Sequence, residues 1–149
     1  MRGVCAGRRS APVRRASLEG TARKPTAMTD QRRESFEVVE ASFGAASGLA
    51  VRGEVDIAAV PTLEQALETA IKTTSGALVV DLSDVAFLDS SGLLALLHGR
   101  GLLAQEDRAL VIVCPEGGPV RHLFEVAGVA ELLILCASRE DAEASLRDR

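Results

Sequence analysis

One junction in this 149-residue chain gathers the side chains best suited to chemistry. Asp89-Ser90-Ser91-Gly92 stands between a valine-rich run, Ala77 to Leu82, and a leucine-rich segment from Leu93. The run has the length and content of a strand buried on both faces. From Leu93 the apolar residues return at helical spacing, at Leu96, Leu97 and Leu103. Asp89 and Ser90 are both good N-cap residues, because a side-chain oxygen there accepts bonds from the first free N–H groups of a helix. Ser91 then falls in the first turn, near the positive end of the helix dipole, where an anion is favoured. The chemistry this suits is the holding of an anion beside a hydroxyl at a helix start.

Autonomous catalysis finds no support. A serine nucleophile needs a base beside it, and the two histidines are His98 and His122. At about 1.5 Å rise per residue, His98 lies about two turns beyond Ser91 on the same helix, out of hydrogen-bond reach. Asp-Ser-Ser-Gly-Leu is not the Gly-x-Ser-x-Gly elbow, and the chain has no P-loop, GxGxxG or HExxH. No catalytic residue, metal ligand or cofactor is expected. His98, Arg100 and His122 read as solvent-facing.

The elements around the junction follow from local signals. Ser35 to Phe43 reads as a first strand at a sheet edge, Ala45 to Gly48 as a turn, and Leu49 to Val55 as a second strand, together a hairpin. Pro61 suits the first turn of a helix, with Leu63, Leu67, Ala70 and Ile71 as its apolar stripe and Thr73 to Gly76 as its end. After the central strand and the Ser91 helix, Ala109 to Cys114 is another buried strand. Pro119 opens a helix with Val120, Leu123, Phe124 and Ala127 on one stripe, and Gly128 stops it. Glu131 to Cys136 gives a last strand. Ser138 caps a final helix whose Ala142 and Leu146 face inward, with Asp141 at the capping-box position. Strands alternating with helices imply parallel pairs, and the opening hairpin makes the sheet mixed. The predicted class is a single α/β domain in the order β-β-α-β-α-β-α-β-α.

Composition narrows the partners. Aromatics are 3% of the chain, too few for a base-stacking platform or a large aromatic-lined pocket. Residues 1–27 hold seven basic side chains against one acid; of the overall −4, that leaves +6 there and −10 over residues 28–149. An acidic globule binds nucleic-acid backbones poorly and suits a protein with a basic face. Residues 1–33 read as a disordered basic leader, with a natural start at Met28, and 34–149 as the domain. No run reaches membrane-span length. Cys5, Cys114 and Cys136 show no CxxC or metal spacing, and Cys114 and Cys136 fit as small buried hydrophobes in a reducing cytoplasm.

Asp89-Ser90-Ser91-Gly92-Leu93 after a strand resembles the signature of the STAS domain, in particular the bacterial anti-sigma factor antagonists. The resemblance covers about residues 34–147. It implies that the serine directly before the glycine, Ser91, accepts a phosphate from a partner kinase, with Asp89, Ser90 and Gly92 beside it. Gly53-Glu54-Val55-Asp56 resembles the family's Gly-Glu-(Leu/Val)-Asp segment, whose final acid lies near the phosphoacceptor; Asp56 also fits as a cap of the following helix. The sequence departs from the family at Ala59, where many members carry Thr or Ser. Gly92 either leaves Ser91 open to another protein or allows close helix–sheet packing. The implied fold is STAS-like, a mixed sheet of about five strands with about four helices. The implied function is that of a bacterial transcription regulator, a phosphoprotein and not an enzyme. Its unphosphorylated form binds an anti-sigma factor that is a GHKL-type serine kinase and frees a sigma factor; a PP2C-type phosphatase reverses the modification. Alternatives are a STAS subunit of a lipid-transport ABC complex or stressosome-like particle, and a small-ligand sensor.

Overall fold

The computed structural model describes residues 35–148. The expectations for residues 1–33 lie outside them. The chain forms a five-stranded sheet in the spatial order β1-β2-β3-β4-β5. Strand β1 (Glu37–Phe43) pairs antiparallel with β2 (Ala46–Val55); β2, β3 (Leu78–Leu88), β4 (Leu110–Val113) and β5 (Ile134–Cys136) run parallel. Helices α1 (Val60–Thr73), α2 (Ser90–Ala104), α3 (Pro119–Ala127) and α4 (Arg139–Arg147) fill the crossovers and the end of the chain. The expected element order and sheet type are those of the molecule.

Alternation along the strands divides the core between two faces. Leu78, Val80 and Leu82 of β3 meet Leu63 and Leu67 of α1, Leu93, Leu96 and Leu103 of α2, and Val120 and Phe124 of α3 in one large cluster. Val79 points to the opposite face, where Phe43, Val111, Val113 and Cys136 pack with Ala142 of α4. The two buried cysteines lie apart, Cys114 in the first cluster and Cys136 in the second. Lying on opposite faces of the sheet, they act as small hydrophobes.

Three boundaries differ from expectation. The hairpin turn is Gly44-Ala45 rather than Ala45 to Gly48, because Phe43 pairs with Ala46 and Gly44 takes φ +69, a conformation suited to a two-residue loop. Strand β3 continues past Leu82 to Leu88. Two register shifts, between Ala50 and Arg52 and between Gly53 and Glu54, keep β2 paired with it as far as Val55 and Leu88. Gly53 sits at the second shift with φ +94, and a Cβ there would lie 2.1 Å from the Ser35 carbonyl oxygen. Finally, Ala130–Leu132 closes into a 3₁₀ turn, so β5 is shorter than the Glu131 to Cys136 run. Ala127, expected on the α3 stripe, is exposed.

A long-range ion pair fastens α4. Asp81, 6% exposed, accepts from Arg139 Nε at 2.5 Å through Oδ2 and from the Ser83 N–H and hydroxyl at 2.9 and 2.6 Å through Oδ1. The Arg139 guanidinium also lies over the Phe43 ring, 4.8 Å from its centroid. Ser138 caps α4 by accepting from the Asp141 N–H at 3.1 Å.

Candidate functional site

The C-terminal ends of β2 and β3 form one pole of the sheet. Ends of parallel strands are where open α/β sheets place their sites. Val55 and Leu88 are register partners, and the Asp89 N–H donates to the Val55 carbonyl at 3.2 Å. Asp56 and Asp89 therefore leave the sheet side by side.

Asp89 is the N-cap of α2, with extended backbone (φ −96, ψ −178). Its Oδ1 accepts three bonds: from the Ser91 N–H at 3.0 Å, the Gly92 N–H at 3.1 Å and the Ser91 hydroxyl at 2.6 Å. The Ser91 hydroxyl, above all, holds the Asp89 carboxyl below its usual 3.8; burial opposes this, and the two N–H groups reinforce it. Ser91 is half-buried, and Ser90 is exposed.

Gly92 is buried. A Cβ on it would come 2.5 Å from Leu88 Cδ1 and 3.0 Å from Val55 Cγ1, so its bare backbone lets the start of α2 settle onto the ends of β2 and β3. Asp56 Oδ1 accepts from the Ala58 and Ala59 N–H groups at 3.1 and 3.2 Å. It shapes the turn before α1, whose own N-cap, Ala59, makes no side-chain bond.

Three apolar side chains stand exposed at this pole. Ile57 is next to Asp56, Leu94 lies one turn beyond Ser91, and Phe87 precedes Leu88. Leu94 is 63% exposed although α2 carries apolar residues on every side. Helices apolar all round are ordinarily covered on all sides. Here the outward Leu94 adjoins an acidic, hydroxyl-bearing helix start. Sequence periodicity pointed to the buried Leu93, Leu96 and Leu103 and passed over Leu94, Ile57 and Phe87. An apolar residue breaking an otherwise complete stripe was the available signal.

The remaining polar groups serve the scaffold. Arg108, with a side chain 8% exposed, donates to the carbonyls of Ile71 at 2.8 Å and Gly76 at 2.7 Å and to the Thr74 hydroxyl at 2.9 Å, closing the end of α1. Arg121 donates to the Cys114 carbonyl at 3.0 Å and its Sγ at 3.4 Å. Burial pushes the Cys114 thiol above its ordinary 9.0, with Arg121 opposing. His98 and His122 are exposed, as expected. Among the described residues no group of His, Cys, Asp and Glu is arranged to hold a metal ion, and no helix is long and apolar enough to cross a membrane. An open pocket of about 550 Å³ lies at the other pole, between the Gly44 turn, Ser75 and the end of α4, away from Ser91.

The family model described as "Mlab, STAS domain" matches residues 38–135, from within β1 into β5. The chain belongs to the STAS domain family. Within it, this STAS protein groups with the anti-sigma factor antagonists. The anti-sigma-F factor antagonist RsfB of Mycobacterium tuberculosis is 28% identical over 114 residues, covering 76% of this chain and 92% of the relative. The anti-sigma-B factor antagonist of Staphylococcus aureus is 31% identical over 83 residues, covering 56% and 76%. The crystal structure of an anti-sigma factor antagonist from Mycobacterium paratuberculosis superposes with a TM-score of 0.70 at 30% identity, covering 76% of this chain and 96% of that one.

Proposed function

We propose that this STAS protein is an anti-sigma factor antagonist switched by phosphorylation of Ser91. The observation that carries the reading is the Ser91 hydroxyl itself, aligned by Asp89 at 2.6 Å at a pole that also presents Ile57, Leu94 and Phe87. Unmodified, this pole docks on an anti-sigma factor through its apolar residues and through the acids Asp56 and Asp89, and so releases a sigma factor in the cytoplasm. The partner is a serine kinase of the GHKL type, which holds the ATP and Mg²⁺; the antagonist is its substrate.

Phosphate on Ser91 adds roughly −1.5 to −2 charges at neutral pH. Backbone N–H groups at the start of α2 accommodate it, while the neighbouring carboxylates and the newly hydrated surface oppose the old contact. A change of about 1–3 kcal/mol in partner affinity corresponds to about 5–150-fold, sufficient for a regulatory decision. A PP2C-type phosphatase returns the protein to its binding form. Ser90 and Gly92 contribute surface and close packing rather than chemistry.

The test is incubation with the anti-sigma factor kinase and ATP. One phosphate is expected on Ser91, with none on Ser91→Ala, and Ser91→Glu is expected to lose anti-sigma factor binding. Undiminished labelling of Ser91→Ala, or full binding by Ser91→Glu, contradicts the reading.

A further inference from the structure

We propose that Asp89 aims the Ser91 hydroxyl at the phosphoryl donor, receives its proton, and thereby selects Ser91 over Ser90. This rests on the reading of Ser91 as the phosphoacceptor. The bond from Ser91 Oγ to Asp89 Oδ1, at 2.6 Å, has the length of a charge-assisted O–H···O contact. The Ser91 and Gly92 N–H groups hold the same oxygen in place. With its proton directed at Asp89, the hydroxyl turns its lone pairs away from the carboxylate, towards an incoming phosphorus. Ser90 is more exposed, yet among the described residues no carboxylate accepts from its hydroxyl.

The chain carries an internal comparison. Asp81 Oδ1 holds the Ser83 N–H and hydroxyl at 2.9 and 2.6 Å, the same arrangement to within 0.1 Å. There the second carboxylate oxygen is taken by Arg139, and the group anchors α4. Among the described residues no cation pairs with Asp89, so its charge remains available to the one hydroxyl it holds.

The transfer forms the bond from Ser91 Oγ to the γ-phosphorus and breaks the bond from that phosphorus to the oxygen bridging the β-phosphate. ADP leaves from the kinase's nucleotide site. The Ser91 proton passes along its hydrogen bond to Asp89 Oδ1 and from there to water. In a loose phosphoryl-transfer transition state little covalent chemistry falls to the protein, and positioning dominates. The proton leaves late, from an oxygen already made acidic by the phosphorus, so a carboxylate held below its usual range is base enough.

The full-length chain is assayed against the anti-sigma factor kinases of its host with labelled ATP, and a kinase that labels the wild type is applied to Asp89→Asn and Asp89→Ala. Because Asp89 is also part of the docking pole, reactions are run at saturating antagonist, so that kcat is read apart from KM. Asparagine is also a good N-cap, so Asp89→Asn is expected to stay folded at the assay temperature. Its kcat is expected to fall about tenfold to a hundredfold, with the residual phosphate divided between Ser90 and Ser91 on peptide mapping. Asp89→Ala adds a loss of melting temperature. Wild-type kcat in Asp89→Asn, with all phosphate on Ser91, overturns the proposal and assigns the base to the kinase. A loss confined to KM, with kcat at the wild-type value, also overturns it, as does a fall in kcat fully explained by Asp89→Asn unfolded at the assay temperature. Ser91→Ala reports separately on the underlying reading: if it is labelled like the wild type, or if no kinase labels the wild type, the assignment of Ser91 fails and this proposal with it.

Discussion

Asp89 meets three donors through a single oxygen, and this concentrates acid sensitivity on one side chain. An unfolded aspartate titrates near its usual 3.8, and the folded carboxyl lies lower. The folded state therefore binds fewer protons in that interval. Its extra stability is complete above the unfolded value and drains away as the pH falls through the folded one. In melts from about pH 6 to about pH 2, Asp89→Asn is expected to show a shallower acid-side decline in Tm than the wild type. Equal slopes would assign the acid sensitivity to other carboxylates. The placing of Asp89 as the cap of α2, with Ser91 and Gly92 in its first turn, was legible in sequence because capping is a local signal. Ile57, Leu94 and Phe87 were not, because an exposed apolar residue reads like a core residue until its neighbours are placed.

Secondary elements followed their local signals closely where the signal was a periodicity or a cap. Pro119 at the first position of α3 and Ser138 capping α4 are both as read. The hairpin turn shifted because Ala46 and Ser47 resemble loop residues in sequence, while Gly44 with positive φ sets the register. Contacts between elements were invisible for a different reason. Arg139 reaches Asp81 across 58 positions, and Arg108 reaches Ile71 across 37. No window along a chain spans such separations. Arg108 closes α1 by satisfying carbonyls that the end of a helix leaves free. Its removal in Arg108→Ala strands the part-buried Ile71 carbonyl and Thr74 hydroxyl and is expected to cost about 1–3 kcal/mol, read as a lower urea midpoint at constant m-value. The conservative Arg108→Lys is expected to recover only part of this, since a single ammonium cannot reproduce the fork.

For the molecule as a whole, charge is the dominant long-range property. Between residues 35 and 148, eighteen acids face seven bases, a net of −11. With so many more acids than bases, the domain projects a negative field towards its partner. Raising NaCl from about 50 mM to about 500 mM is expected to slow association with the anti-sigma factor about tenfold while altering dissociation far less, in stopped-flow or surface-binding traces. A salt-independent association rate would mean that the apolar residues alone guide the encounter. Fold class and sheet order were legible at this scale because the alternation of strand and helix leaves few topologies open. The acidity of the domain was legible too, once the basic stretch at the start was counted apart.

The direction of β1 has a practical corollary. Because it runs antiparallel to β2, Glu37 pairs with Arg52, and Ser35 abuts Gly53, three residues before Asp56. Arg147, at the close of α4, instead borders the Gly44 turn at the far pole. A purification handle or fluorescent reporter joined directly ahead of Ser35 would emerge on the same side as Asp56 and crowd whatever docks there. The same cargo attached after α4 would leave the Ser91 pole unencumbered, which makes that side the natural choice for tethering the protein to a sensor chip.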